Sequence, residues 1–265
     1  MRYDHYSTFG GTVNPRLALI YTPLAGTVFK FLYGSAFRAP NVYELYYDIP
    51  SLGLKANPFL GPEKIWTYEL IYEQELGKHF RGTVTGFYYN IGNLIVENNI
   101  GNSLAQFMNL NRAEADGVEA ELDLRLDNGI TGRVSYSFQD AWDSATGQTL
   151  VNSPRHLAKL NVAIPLLKEK IFLGIEEQFT SGRKTLVDGD DAKSFFITNL
   201  TLFSKNLLKD LELSASIYNL FDCRYGDPAG AEYIQDPERF AVPDHPLDII
   251  QQDGRTFRVM LTYRF

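Results

Sequence analysis

The chain closes on Arg255-Thr-Phe-Arg-Val-Met-Leu-Thr-Tyr-Arg-Phe265. Phe257, Val259, Leu261, Tyr263 and Phe265 share one parity there, Thr256, Arg258, Thr262 and Arg264 the other, with Met260 as the exception. Successive side chains of a strand point to opposite sides, so a period of two describes a strand with one apolar and one polar face. Such a strand suits the last strand of a soluble sheet, or a wall between lipid and a watery lumen. Repetition of the pattern decides between them.

The pattern recurs along most of the chain. Leu211, Leu213, Ala215 and Ile217 alternate with Glu212, Ser214, Ser216 and Tyr218. Val118, Ala120, Leu122, Leu124 and Leu126 alternate with Glu119, Glu121, Asp123 and Arg125, and Trp66, Tyr68, Leu70 and Tyr72 with Thr67, Glu69 and Glu73. The segments 129–143 and 169–181 follow suit, whereas 80–91 and 195–203 carry apolar residues on both parities. About twelve strands are expected: 1–7, 14–23, 26–38, 64–76, 79–98, 105–126, 129–143, 154–166, 169–181, 194–205, 210–221 and 253–265. Aromatics at 14%, rich in Tyr and Phe, favour strands.

The connections between these strands alternate in length. Short ones such as Leu76-Gly-Lys-His79 and Asp127-Asn-Gly129 have tight-turn chemistry. The others, 8–13, 39–63, 99–104, 144–153, 182–193 and 222–252, are longer. Loops of roughly 20–30 residues are uncommon in compact domains and usually carry function. Short turns at one end and long loops at the other point to an all-β fold, an antiparallel transmembrane β-barrel of outer-membrane type, its long loops facing outside. The apolar parity should then meet outer-membrane lipid: Leu211, Leu213, Ile217, Val259, Leu261 and Tyr263 outward, with Glu212, Ser214, Arg258 and Arg264 toward the lumen.

Net charge is −7 with no basic stripe, which speaks against nucleic acid as a partner. Cys223 is the only cysteine and forms no internal disulfide. No apolar run is long enough for a spanning helix, which leaves spanning strands open. The N-terminus lacks the apolar core of a signal peptide, so an exported protein of this kind is expected either to have lost its signal or to be a piece of a longer chain. The four histidines are not spaced as metal pairs, and no cofactor, metal or catalytic residue is expected. Asp188-Gly-Asp-Asp191 lacks the full spacing of a calcium loop and reads as a solvated acidic tip. Ser153 and His156 do not make a nucleophile–base pair, because that spacing puts them on opposite faces of a strand.

Gly34-Ser-Ala-Phe-Arg-Ala-Pro-Asn-Val-Tyr-Glu-Leu-Tyr-Tyr47 resembles a motif of TonB-dependent outer-membrane receptors. Asn57-Pro58 with Gly61-Pro-Glu63, Tyr68-Glu-Leu70, Asn109 with Ala115-Asp-Gly-Val-Glu-Ala-Glu121, Asn152-Ser-Pro-Arg-His156, Tyr218-Asn-Leu-Phe-Asp222 with Tyr225, and the terminal Tyr-Arg-Phe follow in that family's order. The resemblance implies a barrel of about 22 strands with a plug in its lumen. Residues 1–265 would be the C-terminal part of that barrel, without the plug. It also implies an energy-coupled uptake receptor, with an extracellular small molecule and, through the plug, the TonB energy-transducing system as partners. An iron complex such as a ferric siderophore is the default cargo. The alternatives are a passive pore or surface-binding barrel closed on about twelve strands, and a soluble β protein.

Candidate ligand-contact residues sit where strands give way to long loops. Arg38 precedes Pro40, which cannot donate to a ladder and ends pairing there, and its side chain has Glu44 or Glu69 as prospective partners. Arg38 reads as a lock at the loop root or as a direct ligand contact. Tyr43, Tyr46, Tyr47 and Asp48 form an aromatic, acidic loop base, suited to stacking on a planar or cationic ligand or to an aromatic girdle at the lipid interface. In the long loop 222–252, Asp236, Arg239 and His245 are further candidates. The two sheet edges, 1–7 and 253–265, are expected to remain unpaired with each other.

Overall fold

The computed structural model describes residues 1–101, 104–167, 170–187, 191–204, 210–230 and 248–263. In chain order the strands are β1 (Arg2–Tyr6), β2 (Gly10–Asn14), β3 (Arg16–Leu24), β4 (Thr27–Arg38), β5 (Leu54–Lys55), β6 (Glu63–Leu76), β7 (Phe80–Gly101) and β8 (Leu104–Arg125). They continue with β9 (Thr131–Asp143), β10 (His156–Leu166), β11 (Ile171–Thr180), β12 (Phe195–Ser204), β13 (Leu211–Tyr218), β14 (Gly226–Pro228), β15 (Ile249–Gln251) and β16 (Thr256–Tyr263). One short helix, α1 (Val42–Tyr46), and one 3-10 turn (Pro50–Leu52) lie between β4 and β5.

Eleven strands form one continuous antiparallel ladder in the order β3-β4-β6-β7-β8-β9-β10-β11-β12-β13-β16. The tight turns at one end use left-handed glycines where the chain reverses, as at Gly77 (φ 67°) and Gly129 (φ 84°). The long connections 39–62, 144–155, 181–194 and 219–255 leave from the other end.

The register sorts the side chains into two faces, because directly paired residues share a face. Tyr21, Phe29, Tyr72, Val84, Ala120, Tyr136, Ala158, Phe179 and Phe196 are neighbours in one row across nine strands. A second row on the same side runs Leu76, Phe80, Leu124, Gly132, Val162, Ile175, Leu200, Ile217 and Phe257. The opposite side carries Glu73, Thr83, Glu121, Ser135, Lys159 and Gln178 in one row. Lys30 bridges to Glu73 and Arg81 reaches the same carboxylate at 2.6 Å on that polar face. Leu211, Leu213, Ile217, Val259, Leu261 and Tyr263 fall on the apolar side and Glu212, Ser214 and Arg258 on the polar side, as the alternation predicts. Arg264 lies outside the described residues.

The apolar face is open: Val84 and Tyr136 are each 45% exposed and Leu202 47%. An apolar band spanning eleven strands exceeds what a soluble monomer leaves in water. Among the described residues no large side chain is fully buried, so the molecule is a wall rather than a packed core.

Two expectations need correction. Residues 1–7 are not an edge of the main sheet. β1 pairs with β2, which runs through Pro15 into β3, and it is β3 that forms the edge. The reason is local: Ser7-Thr8-Phe9, where the sequence places the start of a loop, is a tight reversal secured by Tyr6 stacked on Phe9 at 4.8 Å and both rings against Phe37. Nor is 99–104 one of the longer connections, since β7 and β8 pair as far as Gly101 and Leu104 and extend well beyond the apolar rows. The edges themselves behave as expected. Among the described residues no ladder joins β1 or β3 to β16, and the sheet is open.

Gly117 explains one of the motifs. A Cβ there would meet the Phe138 carbonyl oxygen at 2.2 Å and Phe87 Cζ at 2.7 Å. A backbone atom cannot swing away, so Gly117→Ala should force the β8–β9 ladder apart at that row. The expected cost is about 1–3 kcal/mol. Faster amide exchange at Phe138 would show it; unchanged exchange there would contradict the close approach.

Candidate functional site

Strand β4 ends at Arg38 because Pro40 has no N–H for the ladder. Asn41 then starts α1 as its N-cap. Its side chain accepts the Glu44 N–H at 2.9 Å, while a Glu44 carboxylate oxygen accepts the Asn41 N–H at 2.8 Å, a reciprocal capping box. Glu44 therefore faces back toward the strand end, where it meets Arg38 at 2.9 and 3.1 Å. The other side of the same guanidinium forks onto Glu63, Nε to Oε2 at 2.5 Å and Nη2 to Oε1 at 2.8 Å. Arg38 and Glu63 are direct cross-strand partners, so the strand residues on either side of the loop are clamped together.

Of the two partners expected for Arg38, Glu44 is confirmed and Glu69 is replaced by Glu63. Glu69 sits further down β6, beside Leu32, and takes the Tyr89 hydroxyl at 3.3 Å. On the apolar side of these two strands the last rung of two apolar residues is Tyr33–Tyr68, and the Arg38–Glu63 rung lies beyond it.

The rest of the loop is tied to the long outer ends of β7 and β8. β5 pairs in parallel with Ala105 and Gln106, Asn57 donates to the Phe107 carbonyl at 2.8 Å, and Asn109 exchanges hydrogen bonds with Gly61 at 2.8 and 3.0 Å. Leu45, Leu54 and Leu60 are buried beneath it. What the loop leaves outside is aromatic. Tyr43 and Tyr47 lie 4.6 Å apart, Tyr43 meets Phe107 edge-on at 5.8 Å, and Tyr46 is 54% exposed. Asp48 is turned inward to the loop, accepting the Ala56 N–H at 3.1 Å. Arg38, Tyr43, Tyr46, Tyr47 and Asp48 thus share one loop root, with Arg38 and Asp48 holding the frame and the three tyrosines offering π faces. Asp236, Arg239 and His245 lie outside the described residues, as does Asp188-Gly-Asp190 of the acidic tip. His156 accepts or donates at 2.7 Å to the Tyr136 hydroxyl rather than working with Ser153.

Burial pushes the Glu63 carboxyl up, but the Arg38 fork and the Ile95 N–H at 2.9 Å more than offset it, and the group lies below its ordinary value. A lowered carboxyl contributes stability above its unfolded pKa and loses it as pH falls through the lower folded value. The clamp should therefore hold through mildly acid pH and release only below about 4.3, the ordinary glutamate value. The Ile95 amide shift in a pH titration reports this, and a midpoint above that value would refute it.

An open antiparallel sheet with one continuous apolar face, tight turns at one end and a braced aromatic loop at the other defines an outer-membrane β-barrel wall. Residues 1–220 match the family model described as TonB dependent receptor-like, beta-barrel. The chain belongs to that family, a family of receptors rather than enzymes, and to the bacterial outer membrane. It is 29% identical over 235 residues to the vitamin B12 transporter BtuB of Vibrio cholerae, an alignment covering 85% of this chain and 36% of that one. The ferric enterobactin receptor PfeA of Pseudomonas aeruginosa superposes with a TM-score of 0.78 at 21% identity, covering 98% of this chain and 42% of the other. The ferric-catecholate import receptor Fiu of E. coli K12 gives 0.72 at 17% identity, covering 97% of this chain and 35% of the other. The chain thus spans well under half the length of these relatives.

Sequence reasoning misses two polar residues that organise the outer end. Glu63 enters it only as part of a motif, although the Arg38–Glu63 register is recoverable by counting back from Tyr33–Tyr68. Arg183 carries no sequence signal at all.

Proposed function

We propose that residues 1–265 form the C-terminal part of a receptor barrel for energy-coupled uptake of a scarce nutrient, with a ferric siderophore as the cargo. The observation that carries this reading is the odd strand count of the open sheet. Eleven alternating strands leave β3 and β16, the edges of the ladder among the described residues, running the same way, so these two cannot pair antiparallel, and β1, which runs the other way, makes no ladder with β16 either. A closed small pore is disfavoured, whereas a wall completed by further strands of a larger barrel fits. Outer-membrane lipid then covers the apolar face, since unpaired or polar groups there cost several kcal/mol each. A plug inside the completed lumen would contact TonB and couple uptake to energy.

The cargo assignment draws on the loop root. Tyr43, Tyr46 and Tyr47 present π faces beside a rigid frame, chemistry that suits the flat aromatic arms of a catecholate iron complex. The names of PfeA and Fiu point the same way, and that of BtuB points to a corrin instead. Deleting the gene and measuring uptake of ferric enterobactin and of cyanocobalamin by whole cells tests this. Loss of ferric enterobactin uptake, together with its abolition in wild-type cells when the proton-motive force is collapsed, is the expected result. Loss of cobalamin uptake alone would move the cargo to corrins. No change in either, or uptake indifferent to the proton-motive force, would overturn the proposal.

A further inference from the structure

The opposite end of the ladder holds a second polar assembly that the loop root does not use. Arg183, 7% exposed, follows β11 and reaches into two other outer connections. Its Nη1 donates to Asn152 Oδ1 at 3.1 Å and lies 2.7 Å from Asp227 Oδ1, and its Nη2 donates to the Gly226 carbonyl at 3.0 Å. The guanidinium stands over the Phe195 ring at 5.6 Å, and Phe195 packs on Tyr225 at 4.4 Å. Backbone bonds reinforce the join: Arg183 and Ala192 exchange both of theirs at 2.9 Å, and the Asn152 N–H reaches the Lys184 carbonyl at 2.9 Å.

This is a costly arrangement if stability were its only purpose. Among the described residues the guanidinium is desolvated, faces one carboxylate that is itself 42% exposed, and leaves its Nε–H buried without an acceptor. Buried charges of this kind add little net stability but fix geometry, because a planar fork accepts partners in few directions. The segments pinned are those of two motifs, Asn152-Ser-Pro-Arg-His156 and Tyr218-Asn-Leu-Phe-Asp222 with Tyr225. Asn219 completes the second, its side chain bridging the Cys223 N–H and carbonyl at 2.8 Å each.

Beside Arg183 lies a cavity of about 550 Å³ on the polar face, walled among others by Gln178, Tyr218, Tyr225, Asp253 and Thr256. The hydroxyls of Tyr218 and Tyr225 and the Asp253 carboxylate take no hydrogen bond from described residues. Burial, with Asp227 and Asp253 close by, holds the Tyr225 phenol above its ordinary value, so it remains neutral across physiological pH. Among the described residues, the one cation lining the cavity is consumed in the wall, and what faces the space is rich in acceptors and π surface.

We propose that Arg183 is a positioning residue that holds the three outer connections as one wall, so that Tyr218, Tyr225 and Asp253 form a second subsite for hydrogen-bond-donating groups of the cargo. The subsite rests on the receptor reading; the joining of the three connections by Arg183 does not. The test uses protein purified from its native outer membrane. Hydrogen exchange in Arg183→Gln should rise at least tenfold in 150–156, 181–187 and 222–230 together, while β11 and β12 keep their protection. Arg183→Lys keeps a charge for Asp227 but not the fork, and should restore only 222–230. A change confined to 181–187, or one that loosens the strands as well, would overturn the positioning role. Tyr225→Phe and Asp253→Asn, which leave the pinning contacts intact, should weaken binding of ferric enterobactin or cyanocobalamin about tenfold with exchange unchanged. Unaltered affinity would remove the subsite. Binding of neither probe by the wild type would remove the receptor reading and the subsite with it, while the exchange result still decides Arg183.

Discussion

Ala120→Arg is expected to cost about 2–4 kcal/mol, the penalty for a guanidinium on the lipid side of a barrel near the midplane. Ala120 lies five residues in from Arg125, where β8 meets its turn, and shares its row with Val84 and Tyr136. On the strands directly beside it the neighbouring rows on that side read Gly86-Val118-Phe138 and Gly82-Leu122-Val134, so the new charge has no partner next to it. Thr83→Arg is the matched control. Thr83 sits opposite Glu121 and Glu73 on the polar face, where another cation finds carboxylates and water, and the change should stay within about 0.5 kcal/mol. Denaturant titration of the protein in lipid vesicles compares the two. Equal losses would mean the faces are not segregated, and a larger loss for Thr83→Arg would turn the wall inside out.

Alternation is legible because a half-wet wall imposes it on every strand, and it places the ladder strands and both faces. It fails where both faces of a strand meet the same surroundings. The outer ends of β7 and β8 extend past the apolar band, so Asn98 and Gln106 are no less suitable there than Ile95 or Val96, and the period of two fades. β2 escapes the reading for a related reason. With β1 it forms a short polar ribbon above the band, held by its own ladder and by the Tyr6–Phe9–Phe37 ring cluster. The candidate site is half legible. Pro40 marks the strand end and the tyrosines mark the loop base, but the partner of Arg38 depends on register. Arg183 depends on contacts 31 and 43 residues away, with no periodicity to announce them.

Arg38→Ala should loosen the loop root by about 2–3 kcal/mol, the usual worth of charge-assisted hydrogen bonds whose partners are then left facing each other. Glu44 and Glu63 are only 10% and 13% exposed at their side chains, so neither carboxylate can turn freely to water. Repulsion between them would pull Glu44 from the Asn41 cap and undo α1 at its first turn. At about 1.4 kcal/mol per decade, amide exchange across 41–61 should accelerate roughly 30- to 150-fold while β4 and β6 keep their protection. Arg38→Lys separates the two roles open to this residue. A lysine is a point charge without the fork, so a positional lock should be only partly rescued, in exchange and in ligand affinity alike. A direct contact through charge should instead recover affinity even where the loop stays loose. Tyr43→Ala and Tyr47→Ala supply the complement: they remove π surface that packs outside the frame, and should lower ligand affinity with little change in exchange. Protection of 41–61 that survives Arg38→Ala would show that the hydrogen bonds to the outer ends of β7 and β8 hold the loop by themselves. Arg38 would then be left for the ligand.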